Sequence, residues 1–204
     1  MPENKSYTLV AYMRSVDTDT SAPLYPPERH EEVAGCKNEM AKQEKYLVWK
    51  LLEKVVTDSL NLDFANLQFT KTINGKWVCP DFHFSLSHAD GLVCVAVSST
   101  DVGVDTECLH EINMGLKTRI LTSEEISYME GLPKSEQNRF MLESWVKKES
   151  IFKKGGGKMM LPNTITTSEH YTTLTYVELD GRRYIISVAC AHDDEIEFKH
   201  MEEI

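Results

Sequence analysis

The sequence permits an α+β fold, and three observations are compatible with it. Two long segments, residues 38–60 and 135–154, place apolar residues at helical spacing. Several shorter segments alternate apolar and polar residues in the manner of half-buried strands, and residues 7–14 are the first of these. Asn74-Gly75 is a dipeptide typical of tight turns between strands. Helical and strand patterns interspersed in one chain favour a mixed fold.

In the N-terminal half the pattern predicts a strand, a loop, a helix and a hairpin, in that order. Residues 7–14 form the strand, whereas residues 15–32, rich in Asp, Ser, Thr and Pro, indicate a loop. Residues 38–60 have apolar side chains separated by lysines and glutamates at the spacing of a long amphipathic helix. Residues 82–97 carry strand-like runs that are broken around His88 to Gly91, which indicates a hairpin.

In the C-terminal half, residues 101–107 alternate valines with acids, so Asp105 and Glu107 share one face of a strand. Thr122 and Glu125 have the spacing of a capping box and predict a short helix. The longer helix of residues 135–154 should end at the glycines 155–157. Segments 164–177 and 183–191 predict further strands. The apolar runs 92–98 and 185–191 look alike, which is faint evidence for an internal repeat.

Composition is that of an ordinary folded protein, with 41% hydrophobic and 26% charged residues. No apolar run approaches the roughly 20 residues that cross a bilayer, and residues 1–10 lack the pattern of a signal peptide, so a cytoplasmic location is expected. The five cysteines lack the spacing of a zinc site and are expected to be reduced thiols. A net charge of −10 provides no general attraction to nucleic acid or anionic membranes. An anionic ligand would need a local basic site.

Charged residues at two places have the chemistry of a metal-assisted phosphate site. Asp105 and Glu107 could supply two oxygen ligands of the kind that Mg²⁺ prefers. On the predicted long helix, Glu149 and Lys153 lie four residues apart and share a face, with Lys148 next to Glu149. Carboxylates for a metal beside ammonium groups for phosphate are what phosphoryl transfer requires.

Each of these residues also has an ordinary structural interpretation. The two strand acids could form a solvated face, and Glu149 with Lys153 could be a surface ion pair. Glu125 could be only a helix cap, and His88 a structural histidine in a turn. No spacing rule joins the strand acids to the helix. The residues by themselves therefore leave both interpretations open.

Four segments, in order along the chain, resemble the phosphopantetheinyl transferases of the surfactin-synthetase-activating type. They are Asn74-Gly75-Lys76, FHFSLSHADG (82–91), GVDTE (103–107) and WVKKESIFKKGGGK (145–158). The last two are similar to Gly-x-Asp-x-Glu and Trp-x-x-Lys-Glu-(Ala/Ser)-x-x-Lys-x-x-Gly, and together they form a specific signal. The chain departs from the family pattern at Trp77 (usually proline), Ser85 (asparagine), Ala89 (serine) and Thr106 (an aliphatic residue).

The resemblance implies that the hydroxyl of a carrier-protein serine attacks the β-phosphate of coenzyme A and releases 3′,5′-ADP. Asp105, Glu107 and Glu149 would bind Mg²⁺, and Glu149 could instead be the general base. Lys153 would hold phosphate oxygens at the reacting centre. The other expected contacts to coenzyme A are Lys148 at phosphate oxygens, Lys76 near the adenosine, and Ser87 and His88 at the 3′-phosphate.

The resemblance also implies an architecture and a partner. The fold would be two similar α+β halves, residues 1–102 and 103–204, related by a pseudo-twofold axis with coenzyme A between them. The C-terminal half would carry most metal and phosphate ligands. The protein would be a monomer acting on an acyl or peptidyl carrier protein of fatty-acid, polyketide or peptide synthesis. Lys153, Lys154 and Lys158 are candidates for contacts to an acidic carrier.

Two other function classes use similar residues. A metal-dependent nuclease or phosphodiesterase could employ the same acids and lysines, but the acidic net charge argues against a polyanionic substrate. A non-catalytic protein that binds coenzyme A is favoured by the altered loop residues. It is opposed by the presence of Asp105, Glu107, Glu149 and Lys153 together.

Overall fold

The computed structural model describes residues 6–202 as a mixture of helices and strands, which confirms the mixed fold. The strands are β1 (Tyr7–Arg14), β2 (Thr70–Lys71), β3 (Trp77–Val78), β4 (His83–Ala89), β5 (Leu92–Ser98), β6 (Gly103–Cys108), β7 (Thr172–Leu179), β8 (Arg182–Ala189) and β9 (Glu195–His200). The helices are α1 (Pro27–Ala34), α2 (Glu39–Leu60), α3 (Lys117–Ile120), α4 (Ser123–Gly131) and α5 (Lys134–Gly155).

The strands form two larger sheets and one short hairpin of β2 and β3. The first sheet has the order β4-β5-β1-β9, with β1 antiparallel to β5 and parallel to β9. The second has β8 between β6 and β7, and both of its pairings are antiparallel. The sequence pattern does not predict β9. This strand returns residues 195–200 to the side of β1, so the first sheet contains strands from both predicted halves.

Helix α2 covers one face of the first sheet and confirms the helix predicted over residues 38–60. The Asn38 side chain accepts a hydrogen bond from the Ala41 N–H (2.9 Å) at the start of the helix. Asn61, in the left-handed region at φ 54°, ends it. The apolar face of α2, which includes Leu52, packs against alternate residues of β5 such as Val95. Its lysines and glutamates lie between those positions.

The two sheets pack face to face, and helix α5 covers the outer face of the second. Ala96 of β5 and Val104 of β6 belong to one buried cluster between the sheets. On the other side, Val146 of α5 packs on Ile185 of β8. The successive layers are therefore α2, first sheet, second sheet and α5. The predicted long helix is confirmed, and Gly156 at φ 63° ends it.

Three sequence-based expectations need correction. The loop predicted over residues 15–32 runs into α1, which begins at Pro27 because proline at the first helical position loses no hydrogen bond. The strand predicted over residues 164–177 begins only at Thr172, after two short 3₁₀ turns. His88 lies within β4 rather than in the hairpin turn, which is formed by Asp90 (φ 44°) and Gly91 (φ 99°). Positive φ at both turn residues matches the twist of paired strands.

The cysteines are free thiols, and Cys94 and Cys190 are buried. Within residues 6–202, no helix combines the length and the apolar character that crossing a membrane requires.

Candidate active site

Strand β6 and helix α5 are in direct backbone contact at Gly103. A Cβ atom at this position would stand 1.9 Å from the Ser150 carbonyl oxygen and 2.4 Å from the Lys154 amide nitrogen. Only glycine lets the strand approach the helix this closely. The contact holds the following residues of the same strand face, Asp105 and Glu107, against side chains of α5.

Asp105 is held by a charged network that joins three elements. It is 5% exposed, so the interpretation as a solvated strand face is wrong for this residue. Lys153 Nζ of α5 donates to Asp105 Oδ1 (2.7 Å) and to Ser87 Oγ of β4 (3.1 Å). Ser87 Oγ donates in turn to Asp105 Oδ1 (3.0 Å) and accepts from the Thr106 N–H (3.2 Å). Charge-assisted hydrogen bonds of this kind are among the stronger ones in proteins, so the network connects the two sheets and α5 at one point.

Glu107 and Glu149 line a cavity of about 500 Å³ on the other side of this contact. The Trp145 Nε1–H donates to Glu107 Oε1 (3.2 Å) and sets the direction of that carboxylate. The remaining wall includes the apolar side chains of Leu116 and Leu142. Two acidic groups thus face a largely apolar space.

The pKa values of the two cavity acids, Glu107 and Glu149, are raised. Burial, and after it the negative charge of Asp105, raises the pKa of Glu107, although the Trp145 hydrogen bond acts in the opposite direction. Burial and the charge of Asp105 likewise raise the pKa of Glu149, against the opposing effect of Lys153. The negative charge of Asp105 thus affects both cavity acids. Glu149 of the helix shares this cavity with Glu107 of the strand, a proximity that no spacing rule predicted.

The acids suit a hard divalent cation in their chemistry, but they do not form a finished metal cluster. Within residues 6–202, no three or more His, Cys, Asp or Glu side chains are close enough together to hold a metal ion. Asp105 Oδ2 is buried and has no hydrogen-bond partner among the described residues. A buried carboxylate oxygen of this kind is costly unless a donor or a cation meets it. Asp105 therefore fits a magnesium ligand.

Lys76 borders a second cavity, of about 270 Å³, between the β2–β3 turn and the end of α5. Its Nζ donates to the Lys153 carbonyl oxygen (2.7 Å), at the end of α5 where helix carbonyls lack partners. Asn74 Nδ2 donates to the Gly156 carbonyl oxygen (2.8 Å) nearby. Burial lowers the pKa of Lys76, although the charge of Asp101 opposes this. The Asn-Gly-Lys turn is thus attached to the helix that carries Glu149 and Lys153.

Ser87 and His88, expected to act together on one phosphate, point in opposite directions from β4. The Ser87 hydroxyl is buried in the Asp105 network, whereas the His88 ring faces α2, where Nδ1 lies 2.8 Å from Glu44 Oε2. Successive residues of a strand alternate between its two faces, so this divergence follows from the strand geometry. The expected contact of both side chains to one phosphate stays a prediction, and in this arrangement the two side chains lie on different faces of β4.

Lys148 does not face either cavity. It is 0% exposed, and its Nζ donates to the Ile120 carbonyl oxygen (2.9 Å) and to Glu125 Oε2. Glu125 also completes the predicted capping box, because its Oε2 accepts the Thr122 N–H (2.9 Å). In this arrangement the ammonium of Lys148 is paired with the half-buried carboxylate of Glu125. The expected phosphate contact of Lys148 stays a prediction, and in this conformation its ammonium is buried and bonded to protein groups.

The lysines proposed to meet the carrier protein are also partly occupied. Lys153 bonds to Asp105, and Lys154 Nζ donates to the Cys190 carbonyl oxygen (2.6 Å). Lys158 is exposed. Of the three candidates, Lys158 is the one whose ammonium forms no hydrogen bond within the described part of the chain.

Two contacts of the site were not anticipated from the sequence. Ser85 Oγ accepts the Val104 N–H (3.0 Å), parallel to the bond from the Thr106 N–H to Ser87 Oγ (3.2 Å). The hydroxyls of Ser85 and Ser87 thus join the edges of β4 and β6, which are not paired by a backbone ladder. The sequence FHFSLSH could have indicated this contact, because Ser85 and Ser87 are two residues apart and therefore share a strand face. Thr106, whose hydroxyl needed a partner, donates to the Ile185 carbonyl oxygen (3.1 Å).

Comparison with known proteins shows a similarity in the C-terminal part of the chain. Residues 101–197, just under half of it, match the family model of the 4′-phosphopantetheinyl transferase superfamily. The 4′-phosphopantetheinyl transferase ffp of Bacillus subtilis is 32% identical over 115 residues, which cover 55% of this chain and 51% of that protein. The transferase gsp of Aneurinibacillus migulanus is 32% identical over 113 residues, or 55% of this chain and 48% of that protein. The 4′-phosphopantetheinyl transferase Sfp of Bacillus subtilis strain 168 is 30% identical over 115 residues, which cover 55% of this chain and 51% of that protein.

The chain spans about half the length of the curated relatives it matches. The region matched by the family model contains β6 and α5, and with them Asp105, Glu107, Glu149 and Lys153. Lys76, Ser87 and His88 lie outside that region, and their place near the site rests on the structure. The chain is similar to the 4′-phosphopantetheinyl transferase superfamily through residues 101–197. Over 115 residues it is similar to the 4′-phosphopantetheinyl transferases ffp and Sfp.

Proposed function

We propose that the protein transfers the 4′-phosphopantetheine group of coenzyme A to a serine of an acyl or peptidyl carrier protein. One observation supports this proposal: at the contact between β6 and α5, Lys153 bonds to Asp105 while Glu107 and Glu149 line one cavity, all within the region matched by the family model. Transfer would form a bond between the serine oxygen and the β-phosphorus. The bond from that phosphorus to the oxygen of 3′,5′-ADP would break.

Glu149 is suited to accept the proton of the attacking serine. Burial and the charge of Asp105 raise its pKa, which moves it toward the range in which a carboxylate is an efficient base. It also faces the open cavity of about 500 Å³, where a serine could approach. Glu107, turned by Trp145, lies on the same cavity wall. The apolar remainder of this wall supports contact with a carrier protein, since long-range attraction between two acidic proteins is absent.

Asp105 and Glu107 would hold Mg²⁺, with Glu149 as its third ligand in the alternative in which Glu149 is not the base, and the unpartnered Asp105 Oδ2 supports the assignment of Asp105. A bound magnesium ion would neutralise negative charge on the pyrophosphate. Lys153 sits on the opposite side of Asp105 and lines the cavity that Lys76 borders. Its ammonium would hold phosphate oxygens, and Lys76 would lie near the adenosine. Ser87 would act indirectly, because its hydroxyl positions Asp105 and Lys153.

The proposal includes an arrangement of two related halves, residues 1–102 and 103–204. Strands β5 and β8, which carry the two similar apolar runs, each lie between two other strands of their sheet. Helices α2 and α5 cover the outer faces of the two sheets, and each is 22 residues long. Strand β9 crosses from the second half into the first sheet. In this proposal a pseudo-twofold axis relates the two halves of a monomer, and coenzyme A binds between them.

The test is to incubate the full chain with coenzyme A, Mg²⁺ and a panel of unmodified carrier proteins, and to weigh the carriers by mass spectrometry. We expect one carrier to gain the mass of phosphopantetheine and a chelator to prevent it. Glu149→Gln should remove the gain, whereas Glu143→Gln on the same helix should not, because Glu143 pairs with Arg139 and Tyr176 at the surface.

Two results would contradict the proposal. Cleavage of nucleic acid without any added mass on a carrier would favour a nuclease. Binding of coenzyme A without transfer to any carrier would favour the non-catalytic binding protein.

A further inference from the structure

Glu32 of helix α1 holds the base of the β2–β3 hairpin. Its Oε2 accepts the Trp77 Nε1–H (3.0 Å) and forms ion pairs with Lys71 Nζ (2.9 Å) and Arg29 Nη1 (3.2 Å). Lys71 and Trp77 are cross-strand partners of β2 and β3, and the Lys71 ammonium lies 4.9 Å from the centre of the Trp77 ring. One carboxylate of α1 therefore contacts both strands of the hairpin.

The Glu32 carboxylate is an effective anchor because it is charged. Burial acts to raise the pKa of Glu32, but the hydrogen bonds from Lys71 and Trp77 and the positive charge of Arg29 outweigh burial and lower it. The hydrogen bond that Glu32 accepts from Trp77 is therefore charge-assisted, and such bonds are stronger than those between neutral groups.

The β2–β3 hairpin cannot hold its own position. Each of its strands has two residues, and within residues 6–202 no backbone ladder joins it to either larger sheet. A two-stranded hairpin by itself is at most marginally stable in water. Its place therefore depends on side chains at its two ends, namely Glu32 at the base and Asn74 and Lys76 at the tip.

The tip of the hairpin forms one wall of the cavity of about 270 Å³ at the end of α5. Residues 74–77 line the cavity on one side, and Lys153 is among the residues that line it from α5. Trp77 is 8% exposed and belongs to the core that covers the first sheet. The side chain that Glu32 holds is thus part of both the core and the cavity wall.

The turn moves with its base, because backbone hydrogen bonds close it. The Thr72 N–H donates to the Lys76 carbonyl oxygen (2.8 Å), and the Gly75 N–H donates to the Thr72 carbonyl oxygen (2.9 Å). A displacement of the two short strands would therefore carry Lys76 away from the end of α5.

Neutralising Arg29 explains only part of the Glu32 contacts. Arg29 is 4% exposed, and it has other partners, since its Nη2 donates to the Lys45 carbonyl oxygen (2.8 Å) and its guanidinium lies 4.9 Å from the centre of the Trp49 ring. The remaining two contacts of Glu32 both go to the hairpin. A counter-ion for Arg29 alone would not need them.

We propose that Glu32 is a positioning residue, which acts through Trp77 and the β2–β3 hairpin to hold Lys76 at the cavity where coenzyme A binds. This inference rests on the proposed function for the identity of the ligand. Without the Glu32 carboxylate the hairpin is docked in a smaller fraction of the molecules. The apparent dissociation constant of coenzyme A rises by the inverse of that fraction, whereas the reaction of bound coenzyme A is unchanged.

The experiment measures coenzyme A binding to the full chain by titration calorimetry with Mg²⁺ and without a carrier protein, and then kcat and KM for coenzyme A with a carrier. Glu32→Ala should weaken binding about tenfold, the effect of a docked fraction of about one tenth. It should raise KM by the same factor and leave kcat within about twofold, because Glu32 acts on binding and not on chemistry. Glu31→Ala removes the same charge from an exposed neighbouring position of α1 and should leave all three quantities unchanged.

A double variant tests whether Glu32 acts through Lys76. Lys76→Met should also weaken coenzyme A binding. In Glu32→Ala/Lys76→Met the two losses should not add in free energy, because an undocked hairpin has already removed Lys76 from the cavity. Fully additive losses overturn the proposal.

A purely structural role of Glu32 has a different signature. In Glu32→Ala, hydrogen exchange should become faster at the Thr72 amide within the hairpin and stay as in the wild type at the Val95 amide in the first sheet. Equal acceleration at both amides, or none at Thr72, overturns the proposal. A lowered kcat with an unchanged KM for coenzyme A overturns it as well.

A milder variant covers the case in which Glu32→Ala does not fold. Lys71→Met removes one of the two hairpin contacts at a half-exposed position. It should weaken coenzyme A binding about threefold, the effect of a half-exposed ion pair. An unchanged affinity of Lys71→Met then overturns the proposal.

The outcome is separable from that of the proposed function. A wild type that binds coenzyme A, loses affinity in Glu32→Ala and modifies no carrier protein contradicts the transferase proposal and supports the role of Glu32. A wild type that modifies carriers, with the same KM for coenzyme A in Glu32→Ala, supports the transferase and overturns the role of Glu32.

Discussion

Replacing Gly103 by alanine should disable the site without changing any charged residue. The added Cβ would stand 1.9 Å from the Ser150 carbonyl oxygen and 2.4 Å from the Lys154 amide nitrogen, both of which are backbone atoms that cannot rotate away. The strand and the helix would have to separate by about an ångström or more to reach ordinary contact distance. Overpacking of this kind typically costs about 1–3 kcal/mol of the free energy of unfolding.

The same displacement would move Asp105 relative to Glu149 and Lys153, which come from opposite sides of the contact. A misplacement of about 1 Å can lower the rate of an enzyme about 100-fold. We therefore expect Gly103→Ala to lower kcat/KM for carrier modification by about two orders of magnitude, while the protein still unfolds cooperatively in urea. The assays are carrier mass gain over time and urea unfolding followed by circular dichroism.

The matched control is Gly131→Ala at the end of α4, where an added Cβ would meet no atom within 4 Å. It should leave both the rate and the free energy of unfolding close to those of the wild type. If Gly103→Ala turned over at a rate near that of the wild type, the argument that the backbone contact positions the acids would be refuted.

Three further predictions concern the charged residues. Asp105→Ala and Glu149→Ala should each lower kcat/KM at least about 100-fold with cooperative unfolding retained, and near-normal turnover of either variant would remove that residue from the site. Lys148→Met should lower the free energy of unfolding by about 3 kcal/mol, because it leaves the partner carboxylate of a buried ion pair uncompensated. Lys147→Met, at a half-buried neighbouring position, should change it by less than about 1 kcal/mol, and equal effects of the two in urea unfolding would contradict the buried pair. Glu44→Gln should be destabilising at neutral pH, and the difference from the wild type should shrink as the pH falls below about 4.5. The folded-state pKa of Glu44 lies below its unfolded value, so its stabilising effect is present above the unfolded value and is lost as the pH falls through the folded one. The measurement is urea unfolding of the wild type and Glu44→Gln at several pH values. A difference in free energy of unfolding that stays constant between pH 7 and the acid range would be inconsistent with a lowered pKa of Glu44.

The elements that could be predicted from the sequence are those decided by neighbouring residues. Helices α2 and α5 follow from apolar spacing and from their terminal residues, Asn38 and Gly156. The capping box of Thr122 and Glu125 and the common face of Asp105 and Glu107 have the same origin, because capping and strand alternation act over one to four residues. Strand β9 could not be found in this way, since its pairing partner, β1, lies far away along the chain.

The sequence alone determined the chemical inventory of the site, namely carboxylates on one face of a strand and a glutamate with a lysine on one face of a helix. Only the tertiary structure decided which of these groups meet. It placed Lys148 in a buried pair, Ser87 between Asp105 and Lys153, and His88 against Glu44 on the far side of β4. The physical reason is that a residue's neighbours along the chain set its local conformation, whereas burial and ion pairing depend on whichever distant segment packs against it.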